Sequence, residues 1–419
     1  GKVRRRMENR AGALAESSSG VTHGGKLGPA LWFALLLLAQ PLTAQDPERG
    51  PRVGHGSDGF FIETEDGAWR TALQFRLQFR FSSPYDTDPV TFDDYTGDPS
   101  TSLSVNRARL KIGGHGFKPW LGYYFEYELA ASALLNWEVT VEKNPAFSLR
   151  VGQWKAQYSR ERIISSGREQ LMDRSLINRY FTIDRQQGVS LFGRLGEGGT
   201  ADVQYWLSAF TGLGRGGGSN DDDDLMYMGR LQWNPLGRPV PFRGSDLSRA
   251  AEPTLSVAVA GVTNRGPCTR FSTAGCGSLE RFPEQDPERY RVQQALFETA
   301  FLWRGLAWAQ EAHWKRVRDS VDQTETDLIG LYLQLGYFPS AAWSAIPEPL
   351  EIAARWASFR PDIDAPDNRH DEVSVAANWF FDGHNNKLTF DYSRLELDDG
   401  LLSLNDSDNR FRFQWDVSF

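Results

Sequence analysis

Residues 69–81, WRTALQFRLQFRF, alternate between apolar and polar side chains. One set of alternate residues is Trp69, Thr71, Leu73, Phe75, Leu77, Phe79 and Phe81, and the set between them is Arg70, Ala72, Gln74, Arg76, Gln78 and Arg80. Successive side chains of a β-strand point to opposite faces of the sheet. The stretch therefore predicts a strand with one apolar face and one polar, cationic face.

The same alternation recurs along the chain as far as its last residue, Phe419. Sixteen runs are predicted as strands: 69–81, 102–114, 120–131, 134–143, 146–155, 187–195, 201–211, 225–234, 254–263, 291–304, 306–317, 326–338, 350–360, 371–382, 386–397 and 409–419. Most are near the ~9 to 11 residues with which a tilted strand crosses a bilayer.

The connections between these strands alternate in length. Short links, such as 117–119 and 304–305, follow even-numbered strands, whereas long polar loops, such as 82–101, 156–186 and 264–290, follow odd-numbered ones. Outer-membrane barrels show this asymmetry between periplasmic turns and external loops. Links 235–253 and 339–349 are longer than the rule predicts, and the link at 131–134 is shorter.

A sheet that faces lipid must close, because an open edge would leave backbone polar groups unpaired. We therefore predict an all-β fold, a 16-stranded antiparallel transmembrane β-barrel over residues 69–419. A barrel of this size encloses a water-filled lumen, so its function should be carried by the inward residues.

Composition excludes several classes of protein. The chain has 419 residues, of which 24% are charged, and a mean hydropathy of −0.47, which excludes a helical membrane protein. Its pI of about 5.4 argues against a nucleic-acid partner. The 38 arginines greatly outnumber the 8 lysines. Because the arginine side chain is a planar fork that binds phosphate or carboxylate through two bonds, we expect a local role for this excess.

The N-terminal 44 residues resemble a signal peptide with an N-terminal extension. A cationic stretch precedes the apolar run ALWFALLLLA at 30–39, and the small residue Ala44 precedes Gln45. Removal of residues 1–44 changes the net charge from −8 to −12. Residues 45–68 are then predicted to form a short periplasmic N-terminal segment of the exported protein.

Four stretches carry a resemblance to a known family, the phosphate-selective porins O and P, over residues 58–419. They are ETEDGAWRTALQFRLQFRF at 63–81, NRARLKIGG at 106–114, FSLRVGQWKAQYSRE at 147–161 running into ISSGREQLMDRSL, and VAANWFF followed by KLTFDYSRL. The resemblance implies a homotrimeric outer-membrane channel that passes anions such as phosphate or polyphosphate. It also implies that the loop after the fifth strand folds inward as a constriction loop.

That loop is the densest basic segment after the signal peptide. It contains Arg160, Arg162, Arg168, Arg174, Arg179 and Arg185 together with Ser165 and Ser166. The family's anion-contacting positions correspond to Arg76, Arg107, Arg162, Ser165, Ser166 and Arg174, and the inward parity of their strands adds Arg80, Arg109 and Lys111. Guanidinium groups would attract an entering anion, and hydroxyls would replace part of its hydration shell. Alternatively, these cations only pair with wall carboxylates such as Glu126, Glu128, Asp173 and Glu311.

One departure leaves the preferred anion open. The family resemblance implies lysines near the narrowest zone, yet this chain has few, and Asp327 lies where a basic residue is expected. Arg316 and Arg318 at the end of the eleventh strand are candidates to compensate, and the alternative is that they lie in the external loop. A general diffusion porin, or one for another anion, is the alternative.

Two alternatives belong to other classes of protein, an outer-membrane barrel enzyme and a plugged, adhesive barrel. The six histidines show no zinc-binding spacing, and no GxSxG motif is present. The best pair for catalysis is His313 with Ser320, and the one candidate for an adhesive loop is 264–290. We predict that the protein is not an enzyme, has no metal or cofactor, and has small anions, the lipid bilayer and lipopolysaccharide as partners.

Cys268 and Cys276 lie in the same predicted loop of a chain that is predicted to be exported to an oxidising compartment. Such compartments favour disulfides. We predict a bond between them that stiffens the external loop.

Overall fold

The computed structural model describes residues 50–419 apart from 97–99, 217–223, 283–287 and 401–402, so the predicted signal peptide lies outside it. The strands are β1 Arg52–Gly56, β2 Gly59–Glu63, β3 Arg70–Ser83, β4 Ser102–Gly116, β5 Lys118–Glu128, β6 Ala133–Asn144, β7 Phe147–Lys155, β8 Arg185–Leu195, β9 Val203–Phe210, β10 Met226–Trp233, β11 Thr254–Gly266, β12 Tyr290–Trp303, β13 Leu306–Asp319, β14 Thr324–Tyr337, β15 Leu350–Arg360, β16 Arg369–Asp382, β17 Asn386–Asp399 and β18 Leu404–Ser418. The helices are α1 Phe92–Thr96, α2 Arg160–Ile163, α3 Asn178–Phe181 and a 3-10 turn at Pro339–Ala341. None of the helices in these described ranges has the length and apolar character required to cross a membrane.

Strands β3 to β18 form a closed antiparallel barrel, which confirms the predicted sixteen strands. Each strand pairs with its neighbours in sequence, and β18 pairs with β3 through a register that places Trp415 opposite Phe79. The C-terminal residue completes the seam, because the amide N–H of Phe419 donates to the carbonyl of Phe75 at 2.8 Å and the amide of Phe75 donates back at 3.1 Å. Closure leaves no strand edge exposed to lipid.

The alternation in the sequence corresponds to the two faces of the barrel wall. On β18, Phe413 is 45% exposed on the outer face, whereas Arg412 is 1% exposed on the lumen face. On β3, Phe79 and Phe81 point outward, and Arg80 is buried inside. The prediction of which residues face the lumen is therefore correct on both strands of the seam.

A register shift on β4 sets the direction of its arginines. Gln78 of β3 lies opposite Arg107, but the next residue, Phe79, lies opposite Val105, so Asn106 is an extra residue in β4. An extra residue of this kind reverses the alternation of the faces. Val105 consequently points outward while Arg107 points inward, although the two residues have the same parity in the sequence.

Strands β1 and β2 form a hairpin beside the barrel. β2 pairs with the first part of β3, where Phe60 lies opposite Leu73, and β18 pairs with the remainder of β3 from Arg76 onward. The hairpin lies within the segment 45–68 that was predicted to precede the barrel. It extends the sheet at the end of the barrel where the C terminus lies, which we call the turn end; the opposite end is the loop end.

Three connecting segments fold into the lumen. Residues 156–184, the constriction loop, enter from the loop end, as predicted. Residues 267–282 also enter from the loop end, and Phe271 and Leu279 are buried there. The third segment, 234–253, enters from the turn end and buries Val240 and Asp246. This insertion explains why the link at 235–253 is longer than the turns of its end.

Candidate functional site

The constriction loop is anchored to the far wall of the barrel by buried ion pairs. The guanidinium Nε of Arg160 donates to Glu298 on β12 at 2.7 Å, and Arg230 on β10 binds the same carboxylate through two bonds of 2.8 Å. A second guanidinium nitrogen of Arg160 donates to the carbonyl of Pro241 in the segment that enters from the turn end. Arg160 therefore joins the two inserted segments to the wall.

Helix α2 begins the loop and is capped by a serine that also contacts the wall. Ser159 Oγ accepts the amide N–H of Arg162, and its own hydroxyl donates to Glu311 on β13 at 2.8 Å. The amide N–H of Glu161 donates to the other oxygen of Glu311. A single inward carboxylate thus fixes the first turn of the loop, as expected for the free N–H groups at a helix start.

An apolar cluster fills the lumen between the constriction loop and strands β9 to β16. It includes Tyr158 and Phe181 of the loop, Phe271 of the segment 267–282, and Tyr332 and Phe359 of the wall, each at most 2% exposed. Buried apolar side chains at the density of a protein core exclude water. Space is left beside strands β3 to β8.

A cavity of about 540 Å³ occupies this remaining space at the turn end. Its charged lining comprises the basic residues Arg70, Arg76, Arg109, Lys111, Arg150, Lys155, Arg168 and Arg185 and the acidic residues Asp58, Glu126 and Glu138. The lining therefore has eight cations and three carboxylates, although the chain as a whole carries a net charge of −8. Hydroxyl and amide donors such as Ser165 and Asn136 also face the cavity.

Three of these cations have no carboxylate within 4 Å among the described residues. Lys111 Nζ donates to the side-chain oxygen of Gln74 at 2.9 Å, and Lys155 Nζ donates to the carbonyl of Ile164 at 3.2 Å. Arg168 is exposed to the cavity. Their positive charge is thus left for a mobile anion.

Arg76 and the two predicted serines meet at the edge of the cavity. Arg76 binds Asp416 on β18 through two bonds of 2.9 and 2.7 Å. Its remaining nitrogen lies 3.4 Å from the hydroxyl of Ser165 and 3.3 Å from that of Ser166. Ser165 lines the cavity, whereas Ser166 is 5% exposed behind it.

A second cluster of charged residues surrounds Asp173, nearer the loop end than Arg76. This carboxylate accepts from Arg80 at 2.6 Å and from Arg412 at 2.8 Å, and Arg107 lies 3.6 Å away. Burial alone would raise the pKa of Asp173, but the charges of Arg80, Arg412 and Arg107 outweigh it and hold that pKa well below its usual value. One carboxylate thus faces three guanidinium groups.

The other predicted arginines have structural partners. Arg109 binds Glu126 and Glu128, each at 2.8 Å, and also lines the cavity. Arg162 binds Asp184 at 2.8 Å.

Arg174 donates to backbone carbonyls of the constriction loop, including that of Ile164 at 2.6 Å, and lies 3.3 Å from Glu169. The cavity brings together Arg76, Arg109 and Ser165 of the predicted set. Arg80, Arg107, Arg162, Ser166 and Arg174 lie outside its lining.

Lys155 is not among the residues predicted from the sequence, Arg168 is predicted only as a member of the basic cluster of the constriction loop, and Lys111 only as an extension of the basic track. The parity of β4 identifies Lys111 as an inward residue. By contrast, Arg168 could not be separated from the other loop arginines, because pairing with distant carboxylates decides which of them keeps an uncompensated charge.

Arg316, Arg318 and Asp327 do not contribute to the lumen. They have the outward parity of β13 and β14, where Lys315 and Leu328 are the buried inward residues. Arg316 binds Asp327 through two bonds of 2.8 Å across the strand pair. Arg316 and Arg318, the candidates to compensate for the scarcity of lysine, therefore do not contribute charge to the pore, because their side chains point away from it.

His313 and Ser320, the pair weighed for catalysis, lie apart. His313 faces the lumen core and contacts Glu311 through Nε2 at 2.9 Å. The hydroxyl of Ser320 donates to the carbonyl of Arg289 in a turn at the loop end. Seven residues of strand separate them by roughly 20 Å, which rules out a direct proton transfer between the two.

Cys268 and Cys276 form a disulfide, with their Cα atoms 5.4 Å apart. Cys268 is fully buried, because the ring that the bond closes packs on the constriction loop. Within the ring, the carbonyl of Phe271 accepts the amide N–H of Asp184 at 2.7 Å. The bonded segment thus covers the constriction loop from the loop end.

Comparison with solved structures identifies several porins of the same fold. The anion-selective porin from Comamonas acidovorans shares 10% identity with this chain, with a TM-score of 0.55, over 83% of this chain and 99% of the porin. The outer-membrane channel DcaP of Acinetobacter baumannii shares 12% identity, with a TM-score of 0.54, over 85% of this chain and 99% of DcaP. OmpT, an outer membrane protein of Vibrio cholerae, shares 11% identity, with a TM-score of 0.51, over 84% of this chain and 98% of OmpT. At these identities the likeness concerns the fold alone.

Comparison with curated protein sequences finds none that matches this chain. Residues 75–419 match the sequence profile of the family described as phosphate-selective porin O and P. This match covers most of the chain and nearly all of the sixteen-stranded barrel. The chain belongs to the phosphate-selective porin O and P family and is an integral porin of the outer membrane.

Proposed function

We propose that this porin conducts small anions of the phosphate class along the β3 to β8 side of its lumen. The observation that carries the proposal is the excess of cations over carboxylates in the cavity lining, with Lys111, Lys155 and Arg168 lacking carboxylate partners among the described residues. The apolar cluster on the opposite side directs ions toward this lining. The family description and the anion-selective porin of the same fold support the same function.

Phosphate, rather than any small anion, is favoured by the mixture of donors. Phosphate has several acceptor oxygens, which charged and neutral donors can bind together, whereas chloride is a single charge. Two ammonium groups, a guanidinium group and the hydroxyl of Ser165 face one cavity. Because none of the three unpaired cations is held by a carboxylate, each can exchange its present partner or water for the oxyanion.

Block of chloride current by phosphate tests this preference. In planar bilayers with potassium chloride, millimolar phosphate should reduce the single-channel chloride conductance of the wild-type protein. In the Lys111→Gln, Arg168→Gln double variant, about 1 to 2 kcal/mol of attraction is lost, and the phosphate concentration for half block should rise about fivefold to thirtyfold.

Lys143→Gln is the matched control, because Lys143 is exposed at the turn end of β6 and does not line the cavity. This variant should behave as the wild type. Equal block by phosphate and by an inert anion such as gluconate would favour a general anion diffusion porin instead. A wild-type barrel that gives no ohmic steps would favour the plugged or enzymatic alternatives.

The N-terminal processing and the oligomeric state belong to the same proposal. We expect cleavage near Ala44, residues 45–68 in the periplasm, and a homotrimer as the family resemblance implies. N-terminal sequencing of the membrane-extracted protein and its native mass test both expectations. A sequence that begins upstream of Lys26, or a monomeric mass in a mild detergent, would contradict them.

A further inference from the structure

Three arginines form a row on the outer face of the barrel near the loop end. In the register of the sheet, Arg265 of β11 lies opposite Arg291 of β12, and Arg291 lies opposite Arg318 of β13. All three are exposed and have the outward parity of their strands, the parity of Val259 and Phe297 on β11 and β12. Their side chains therefore lie side by side on the membrane-facing surface.

Like charges directly opposite each other across a strand pair destabilise a sheet. The outer members of the row have carboxylate partners: Arg265 lies 3.0 Å from Glu288, and Arg318 forms an ion pair with Glu325. The central residue, Arg291, has no carboxylate within 4 Å among the described residues. An anion placed over Arg291 would relieve repulsion on both sides of it.

The surface beneath the row fits an acyl chain. The next outward row, two residues farther from the loop end than the arginines, consists of Thr263, Gln293 and Arg316. The row after it consists of Gly261, Ala295 and Trp314. The small residues Gly261 and Ala295 leave a depression beside the indole of Trp314. A ligand that binds here would have its anionic group above and its apolar part below.

This arrangement is confined to one part of the barrel wall. Toward the loop end of β3, β4 and β6, the outward residues are Phe81, Leu103 and Leu134, all of them apolar and exposed. Outward arginines occur again at Arg369 and Arg394 on β16 and β17, but each has a carboxylate partner on its own strand, so the central arginine, unpaired among the described residues, distinguishes the row on β11, β12 and β13.

We propose that Arg265, Arg291 and Arg318 bind a phosphate group of a glycolipid in the outer leaflet, whose acyl chain lies over Gly261 and Ala295. Arginine binds phosphate through two parallel bonds, and basic clusters at the membrane surface recognise lipid headgroups in this way. The occupant is a lipid and not free phosphate, because the row lies on the outer face of the barrel and the polar row of Thr263, Gln293 and Arg316 below it is followed by the apolar row of Gly261, Ala295 and Trp314. The inference rests on the outer-membrane location and not on the selectivity of the pore.

Native mass spectrometry of the purified full-length protein tests the inference, with bisphosphorylated lipid A as the probe. The wild-type protein should retain lipid A, and the Arg291→Gln, Arg318→Gln variant should bind it at least tenfold more weakly. The matched control is Arg369→Gln, Arg394→Gln, because these arginines are also exposed on the outer face but each has an acidic partner on its own strand. This control should bind lipid A as the wild type does.

Two further probes identify what the row recognises. Lipid A from which both phosphates have been removed should bind the wild-type protein as weakly as intact lipid A binds the Arg291 and Arg318 variant. Inorganic phosphate at the same concentration should not displace intact lipid A. Equal retention by the variant, equal binding of the phosphate-free lipid, or displacement by inorganic phosphate would each overturn the proposal.

Folding and conduction are checked on the same preparations. Each variant should remain heat-modifiable on a gel and keep the wild-type reversal potential, because the row faces away from the lumen. Loss of lipid retention together with an unchanged reversal potential supports the lipid site. A wild-type channel that does not prefer anions would contradict the proposed function and would leave the lipid site unaffected.

Discussion

Reversal of the charge at Arg168 should weaken anion preference without disturbing the barrel. Arg168 is exposed to the cavity and is not held by a carboxylate among the described residues, so Arg168→Glu breaks no ion pair seen in the structure. The change is two charge units. The constriction loop retains its anchors at Arg160 and Glu311.

The size of the effect follows from the cavity. An ion at the centre of a space of about 540 Å³ lies about 7 Å from the lining charges. At an effective dielectric constant of ~60, two charge units at ~7 Å change its energy by about 1.6 kcal/mol, and salt at ~0.1 M reduces this to about 0.8 kcal/mol. The anion is disfavoured and the cation favoured by similar amounts, so the permeability ratio should fall roughly tenfold to fifteenfold.

The assay is the reversal potential of single channels in a tenfold gradient of potassium chloride. The permeability ratio of chloride to potassium should decrease as calculated in Arg168→Glu and remain unchanged in the control Arg369→Glu, which reverses a charge on the outer face. An unchanged ratio in Arg168→Glu, or an equal change in the control, would refute the assignment of the ion path to this cavity.

Three further predictions concern the arginine clusters and the barrel seam. Asp173→Asn should raise the anion affinity of the pore severalfold, measured as tighter phosphate block, because Arg80 and Arg107 lose their shared carboxylate; unchanged block would show that ions do not pass this cluster. Because its arginine partners lower the pKa of Asp173 in the folded protein, the contribution of this carboxylate to stability is complete above its ordinary pKa of ~3.8 and is lost only at lower pH, so the difference in heat stability between the wild type and Asp173→Asn should be the same at pH 7 and pH 5. Deletion of Phe419 should reduce the yield of heat-modifiable protein by several-fold, since it removes the two backbone bonds to Phe75, and equal yield would contradict this role of the seam.

The strands could be predicted from the sequence because their signal is local. The alternation of a strand with one lipid face and one lumen face is present within each segment, and the predicted range 350–360 coincides with β15. Closure followed from the same pattern, since strands that face lipid cannot keep a free edge. The reversal of the faces at Asn106 was not predicted, because one extra residue is visible only in the register between two strands.

The site could be predicted only in part, because it depends on pairing between distant residues. Arg160 and its partner Glu298 are 138 positions apart, and the sequence does not indicate which wall carboxylate meets which loop arginine. Two arginines of the same loop therefore differ in role: Arg162 is neutralised by Asp184, while Arg168 is not neutralised by any described carboxylate. The parity of a strand predicts that a side chain faces the lumen but not whether its charge remains available.

The insertion of residues 234–253 was likewise not predicted. Its length is unusual for a turn, but the contacts that hold it in the lumen join residues far apart in the sequence: Ser245 donates to Glu351, and the carbonyls of Val240 and Pro241 accept from Arg160. A local pattern of residues does not reveal such pairings.

This acidic protein forms an anion-selective channel, since the charges that line its cavity are predominantly basic. The most direct test is the reversal potential of the wild-type protein in a tenfold gradient of potassium chloride across a planar bilayer. We predict ohmic single-channel steps and a reversal potential with the sign of the chloride equilibrium potential. A reversal potential with the sign of the potassium equilibrium potential would contradict the claim.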